Sequence, residues 1–259
     1  MSKHHRHLFD YRRREALRIN GASGAAAALV GCTGSAQSTL NEQSLASIVL
    51  APYVPPTQQA CVVSAAQVEG PYFNDAKLER ADVRSDPRTG VLRAGVPLEL
   101  NLQLNHVSNT GCAPIVGAIV DIWQCDAHGA YSAFNDPRAG GDLRSQHFLR
   151  GYQTSDTQGR VRFQTIYPGW YSGRAVHIHF KVRTQPQGAR GHEFTSQLYF
   201  NESLTDQIHA TRAYLAHGTR DMRNERDFIF RRGGEALTLT VQRVGEQLRA
   251  EHVIGVRAG

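Results

Sequence analysis

Leu98-Glu99-Leu100-Asn101-Leu102-Gln103-Leu104 alternates apolar and polar residues without a break. Successive side chains of a strand point to opposite faces, so this stretch reads as a half-buried β-strand. Pro97 just before it suits a strand start, where a missing N–H is tolerated. Outward from here the pattern recurs. Residues 160–166 alternate well, and residues 116–123 read as a more buried strand. Residues 177–182, 195–200 and 237–244 add three more. Turn clusters such as Ser155-Asp156-Thr157-Gln158-Gly159 separate them. Only residues 202–214 carry a short helical pattern. Many strands with regular turn signals predict an all-β fold, a β-sandwich with long loops and little helix. No internal repeat and no second domain is visible.

The net charge is +6 over 259 residues, which by itself would suggest a nucleic-acid partner. Its distribution argues otherwise. Residues 1–32 hold six basic and two acidic residues, leaving 23 basic and 21 acidic beyond them, a net of +2. No Lys/Arg stripe interleaved with aromatics follows, so nucleic acid is excluded as an expected partner. Arg12-Arg13-Arg14-Glu15-Ala16-Leu17-Arg18 reads as a twin-arginine export signal, with Ala16 where a larger apolar residue is usual. The apolar run after it, residues 24–30, is too short and mild to span a membrane. It ends in Leu29-Val30-Gly31-Cys32, which resembles a bacterial lipobox. Cys32 is therefore a candidate lipid-attachment residue, and an ordinary cleaved signal is the alternative. The expected address is the periplasm or the outer face of a bacterial membrane.

Residues 33–60, rich in Ser, Ala, Gln and Thr, read as a tether. Ile48-Val49-Leu50 is its one apolar patch and could instead pack on the domain. The folded domain is expected over 61–259. Cys61, Cys112 and Cys125 allow one disulfide in an oxidising compartment, and the pairing is not legible. Three buried thiols are the other option. No C-x₂₋₄-C pair exists, so a zinc-binding cysteine motif is excluded.

Chemistry centres on His177-Ile178-His179. On a strand both imidazoles face the same side, half of a metal site, although a lone His-x-His is more often structural. Tyr171 lies six residues earlier, just after the turn signal Pro168-Gly169. Tyr131 sits in a loop soon after Trp123. Phenolate is a hard anionic donor and suits a hard ion such as Fe(III), and coordination would lower the phenol pKa. Zinc or copper on the two histidines alone is a rival, poorly matched to two tyrosines.

Several stretches together resemble one family. They are Glu69-Gly70-Pro71-Tyr72, the run Val120-Asp121-Ile122-Trp123-Gln124-Cys125-Asp126-Ala127 leading to Gly129 and Tyr131-Ser132, and Gln197-Leu198-Tyr199-Phe200. The most specific stretch is Thr165-Ile166, Pro168-Gly169, Tyr171, Arg174 and His177-Ile178-His179. In this order, over roughly 61–200, the chain resembles the intradiol ring-cleavage dioxygenases, related to protocatechuate 3,4-dioxygenase and catechol 1,2-dioxygenase. The exported leader is closer to the family's secreted branch.

The resemblance implies a prealbumin-like core and one Fe(III) per chain, held by Tyr131, Tyr171, His177 and His179. It implies a catechol-type substrate and O2, with cleavage between the two hydroxylated carbons to a muconate-type product. Tyr171 would leave the iron as catechol binds and take up a proton. The ferric ion would draw electron density from the ring, so that a ring carbon attacks O2. Arg174 would stabilise negative charge on the substrate, and Gln197 would orient substrate or O2. Tyr72, Tyr167 and Trp170 are candidates for the pocket wall or for core packing. The chain lacks the long helical segment through which catechol dioxygenases dimerise and carries no second subunit of the protocatechuate type, so oligomeric state stays open. A prealbumin-like sandwich that binds aromatics or polymers without turnover is the alternative function.

Overall fold

The computed structural model describes residues 48–50, 61–184 and 191–257. The leader, Cys32 and most of the expected tether lie outside the described residues. The alternating stretch that opens the sequence reading is the centre of β1 (Pro97–Ser108). β2 (Gly111–Pro114), β3 (Ile119–Trp123), β4 (Asn135–Asp136) and β5 (Gly141–Asp142) follow. Next come β6 (Arg150–Thr154), β7 (Arg160–Ile166), β8 (His177–Arg183) and β9 (Glu193–Tyr199). Two short helices, α1 (Glu202–His209) and α2 (Arg212–Leu215), precede β10 (Thr240–Val244) and β11 (Gln247–Arg257).

The strands form two principal sheets. In one, β1 pairs in parallel with β11, and β10 extends that edge. The other edge of β1 is shared, β7 taking Pro97–Gln103 and β2 taking Asn105–Ser108, both antiparallel. The second sheet runs β6-β3-β8-β9, all antiparallel. The sheets pack face to face as a sandwich. Leu98, Leu100, Leu102 and Leu104 are at most 1% exposed and share one core with Val120, Ile122, Ile178, Phe180, Val182 and Leu198 of the other sheet. Each such side chain contributes roughly 1.5–3 kcal/mol by leaving water.

Differences from the sequence reading are local and have causes. The strand expected over 116–123 begins at Ile119, because Gly117 takes a left-handed conformation (φ 74) and Val116 is exposed. The helix expected over 202–214 is two helices. Asn201 caps the first, its side chain accepting from Leu204 N, and Thr211 is extended (φ −81, ψ 157). That break turns Tyr214 into the core, where its hydroxyl donates to Tyr167 O at 2.7 Å and accepts from Val96 N at 3.0 Å. Residues 237–239 lie before β10, with 235–237 forming a 3-10 turn. Ile48 and Leu50 of the expected tether pack against the core, and Gln207 of α1 exchanges two hydrogen bonds with the Val49 backbone. Cys61 and Cys112 form a disulfide and Cys125 is a buried free thiol, so the three-thiol option falls.

Candidate active site

The parity of β8 sends Ile178, Phe180 and Val182 into the sandwich core and His177, His179 and Lys181 to the opposite face. An outer sheet face usually meets water, yet His177 and His179 are only 2% and 1% exposed. They are covered by loops. The antiparallel register sets Trp123 of β3 and Gln197 of β9 on either side of His179, and Tyr199 beside His177. The floor of the site is therefore fixed by strand pairing alone.

Loops supply the roof. Asp126 Oδ1 accepts from His128 N and Ala130 N, and Asp126 N donates to Ala130 O, closing a turn that delivers Tyr131. The β7–β8 loop is stitched to this turn by Gly169 N donating to Asp126 O at 3.1 Å. Only glycine fits at position 169, since a Cβ there would lie 2.4 Å from Asp126 O. The stitched loops bring the rings of Tyr131 and Tyr171 to 5.6 Å between centroids. The segment after the disulfide forms a third cover. Gly70, at φ +73, lies against the His179 imidazole, and Tyr72 stacks on Tyr131 at 4.2 Å. Tyr72 is held there by its hydroxyl bond to Asp136 at 2.8 Å, and the buried Arg150 donates to Tyr72 O.

Polar atoms converge at the centre. His177 Nε2 lies 2.9 Å from His179 Nε2 and 3.4 Å from Tyr171 Oη. His177 Nδ1 donates to Ala175 O at 2.6 Å, which aims the Nε2 lone pair into the site. Tyr131 Oη and His179 Nδ1 are buried without a hydrogen-bond partner. An orphaned buried hydroxyl is costly, and that of Tyr131 marks a place beside the converging Nε2 and Oη atoms where a further group belongs, whereas His179 Nδ1 is the ring nitrogen turned away from this centre. Burial and the charge of Arg174 push His177 down to about 3, and burial, the neighbouring His177 and Arg174 hold His179 well below the usual histidine range. Both imidazoles are thus neutral donors near pH 7. Burial pushes the Tyr171 phenol up to about 12, partly offset by Arg174, and holds Tyr131 well above its ordinary value. These phenols ionise only when a strong positive charge sits beside them.

Arg174 spans the rim. Its Nη1 points at Tyr171 Oη at 3.3 Å, its Nη2 donates to Gln197 Oε1, and its Nε donates to Asp227 at 2.9 Å. Gln197 is fully buried and fixed by Val68 O and the Tyr199 hydroxyl. The structure thus gathers Tyr131, Tyr171, Arg174, His177, His179 and Gln197 in one place. Two of the three candidate wall residues belong elsewhere. Tyr167 is fully buried in the core, its hydroxyl bonded to Thr205 at 2.7 Å, and Trp170 packs on His217. Sequence reasoning missed the covering role of Gly70, the brace from Arg150, and Asp227. The last lies 53 residues beyond Arg174, with no local pattern to flag it.

The donors fit a ferric ion. Two imidazoles and two phenols meet, and among the described residues no cluster of three or more His, Cys, Asp or Glu could serve a zinc-type site instead. A half-open cavity of about 650 Å³ lies on the other sheet, lined by Asn101, Gln103, Arg160, Arg162 and His252, and takes no part in this site.

A family model described as Dioxygenase matches residues 68–228, a span that holds Tyr131, Tyr171, Arg174, His177, His179, Gln197 and Asp227. The chain belongs to the intradiol ring-cleavage dioxygenase family. A solved structure of this family, an intradiol ring-cleavage dioxygenase from Tetranychus urticae, is 30% identical with a TM-score of 0.65, covering 76% of this chain and 95% of that one. A chlorocatechol 1,2-dioxygenase from Rhodococcus opacus is 28% identical over 157 residues, 53% of this chain and 56% of that protein. The protocatechuate 3,4-dioxygenase beta chain of Burkholderia cepacia is 30% identical over 123 residues, 44% of this chain and 51% of that one. The chain spans about half the length of these curated relatives.

Proposed function

We propose that this family member is an exported non-haem Fe(III) dioxygenase that opens a catechol-type ring between its two hydroxylated carbons, adding both atoms of O2 to give a muconate-type product. The observation that carries this reading is the meeting of His179 Nε2 and Tyr171 Oη at His177 Nε2, beside the unpartnered hydroxyl of Tyr131. Tyr131, Tyr171, His177 and His179 would hold one ferric ion per chain. Bound there, such an ion would supply Lewis acidity that lowers the electron density of a catecholate ring and opens it to O2.

The chain's own groups do the rest. His177 and His179 donate as neutral imidazoles, with His177 fixed by Ala175 O. Tyr131 is pinned under Tyr72 and stays in place. Tyr171 is only partly buried, and its Oη is the atom that accepts a proton from the arriving catechol. Arg174 Nη1 faces that same oxygen and stabilises negative charge on the bound ring. Gln197 anchors the Arg174 guanidinium from the sheet side. The names of the relatives, which include chlorocatechol and protocatechuate dioxygenases, support a catechol-type ring without selecting its substituents. The disulfide supports an oxidising address, in keeping with the twin-arginine leader and with a lipid anchor at Cys32.

The test is spectroscopic. Iron-loaded protein should be burgundy from tyrosinate-to-iron charge transfer, and the band should shift on anaerobic addition of catechol. O2 uptake should then yield a ring-opened diacid. A colourless protein carrying stoichiometric zinc would overturn the reading. Colour without O2 uptake on any catechol would favour binding without turnover.

A further inference from the structure

Asp227 lies outside every motif that points to the site, yet its carboxylate carries more hydrogen bonds than the side chain of any ligand candidate. Its carboxylate is 1% exposed and accepts four hydrogen bonds. Oδ1 takes Ile229 N at 2.7 Å and Phe230 N at 3.1 Å. Oδ2 takes Ala175 N at 2.7 Å and Arg174 Nε at 2.9 Å. The first pair closes the turn that carries Asp227 itself. The second pair faces the site.

A guanidinium is planar, so fixing Nε and one terminal nitrogen fixes where the last nitrogen points. Asp227 holds Nε and Gln197 holds Nη2, which leaves Nη1 aimed at Tyr171 Oη. The same carboxylate oxygen grips residue 175 by its N–H, and the carbonyl of residue 175 accepts from His177 Nδ1. One buried carboxylate therefore organises two site groups at once. A plain structural ion pair needs only charge. This arrangement uses two differently directed lone pairs on one oxygen, and both donors belong to consecutive residues that end in the site.

We propose that Asp227 is the positioning residue of this site, setting the direction of Arg174 Nη1 and, through Ala175, the orientation of His177. What Arg174 does for substrate rests on the catechol-cleaving reading; the positioning itself does not.

The first measurement needs neither metal nor substrate. In ¹⁵N-labelled wild-type protein, the Arg174 Nε–H should exchange slowly and its signal should vanish in Arg174→Lys. A fast-exchanging Arg174 Nε–H in the wild type would overturn the proposal whether or not the protein is a dioxygenase. In Asp227→Asn one side-chain oxygen still serves the Ile229 and Phe230 amides, while the new NH2 confronts Arg174 Nε and Ala175 N, donor against donor. This variant should lose Nε–H protection while keeping the protection of β8 amides, and anaerobic catechol affinity should fall about 10- to 100-fold. In an Arg174→Ala background the same substitution should cost clearly less, about threefold, because one of the two groups it positions is gone and only the path through Ala175 to His177 remains. Equal losses in both backgrounds would mean a merely structural carboxylate and would sink the idea. If Asp227→Asn fails to fold, Asp227→Glu stands in. It keeps the charge at a shifted reach and should recover folding but not the Nε–H protection; full recovery of both would count against a geometric role.

Discussion

Tyr171 and Tyr131 carry the same chemistry in different surroundings. Tyr131 is 3% exposed and stacked beneath Tyr72, whereas Tyr171 lies at the rim in reach of Arg174. If the two tyrosines hold iron as proposed, the one at the rim is placed to leave and return, so Tyr171→Phe should alter the charge-transfer band and slow anaerobic catechol binding. Unchanged spectra would remove Tyr171 from the ligand set. Gly70 is a second single-residue test. At φ +73 an L-residue is strained by roughly 1–2 kcal/mol, and its Cβ would sit 3.3 Å from His179 Cε1. Gly70→Ala should therefore lower the melting temperature slightly and weaken iron retention against a chelator about tenfold. Wild-type retention would show that the Gly70 contact is passive.

At the scale of elements, β8 and β11 show how one strand face is assigned. β8 needs both faces buried, one by the sandwich and one by loops, which is why it reads as a nearly continuous buried run. β11 alternates, with Leu248, Ala250 and Ile254 facing the core. His252 falls on that same parity opposite Leu102, and burial alone pushes it down to about 4. The unfolded chain takes up this proton near the ordinary histidine pKa of about 6.5, while the folded chain resists until about 4. Stability should thus fall as pH drops from about 6.5 toward 4, by up to roughly 3 kcal/mol from this group. Urea denaturation of wild type and His252→Gln across that window should show the wild type losing stability relative to the variant as pH falls. Parallel curves would mean that His252 titrates normally.

For the whole molecule, the segment ahead of the sandwich is as important as the sheets. It leaves Cys61, pairs Ser64 with Gly255, gives Val68 O to Gln197, and lays Gly70 and Tyr72 over the site. The Cys61–Cys112 disulfide closes a loop with a sequence separation of 51, for which chain-entropy arguments give about 4 kcal/mol. Cys61→Ser with Cys112→Ser should lower the melting temperature while the charge-transfer band persists, because neither sulfur touches the four candidate donors. Loss of the band in this variant would mean instead that the disulfide holds the roof of the site together.

Period-two alternation at 98–104 was enough to assign β1, because a half-buried strand writes its two environments into successive residues. Both histidines of 177–179 were legible for the same reason: parity puts them on one face whatever surrounds them. The Tyr171 and Arg174 positions were legible through a compact motif, since one turn links them to His177. Three things lay beyond the sequence. The parallel pairing of β1 with β11 joins residues about 150 positions apart, and nothing local specifies which strand will be the neighbour. The Cys61–Cys112 pairing depends on where chain ends meet in space. Asp227 and the Gly70 contact reach the site only after the sheets have packed, because their partners are distant in sequence and their local patterns are those of ordinary loops. The sequence alone determined which side chains could make an iron site. Tertiary packing decided that they meet, which of their atoms stay unpartnered, and what holds Arg174 in place, since hydrogen-bond direction is set by the positions of both partners and never by one segment.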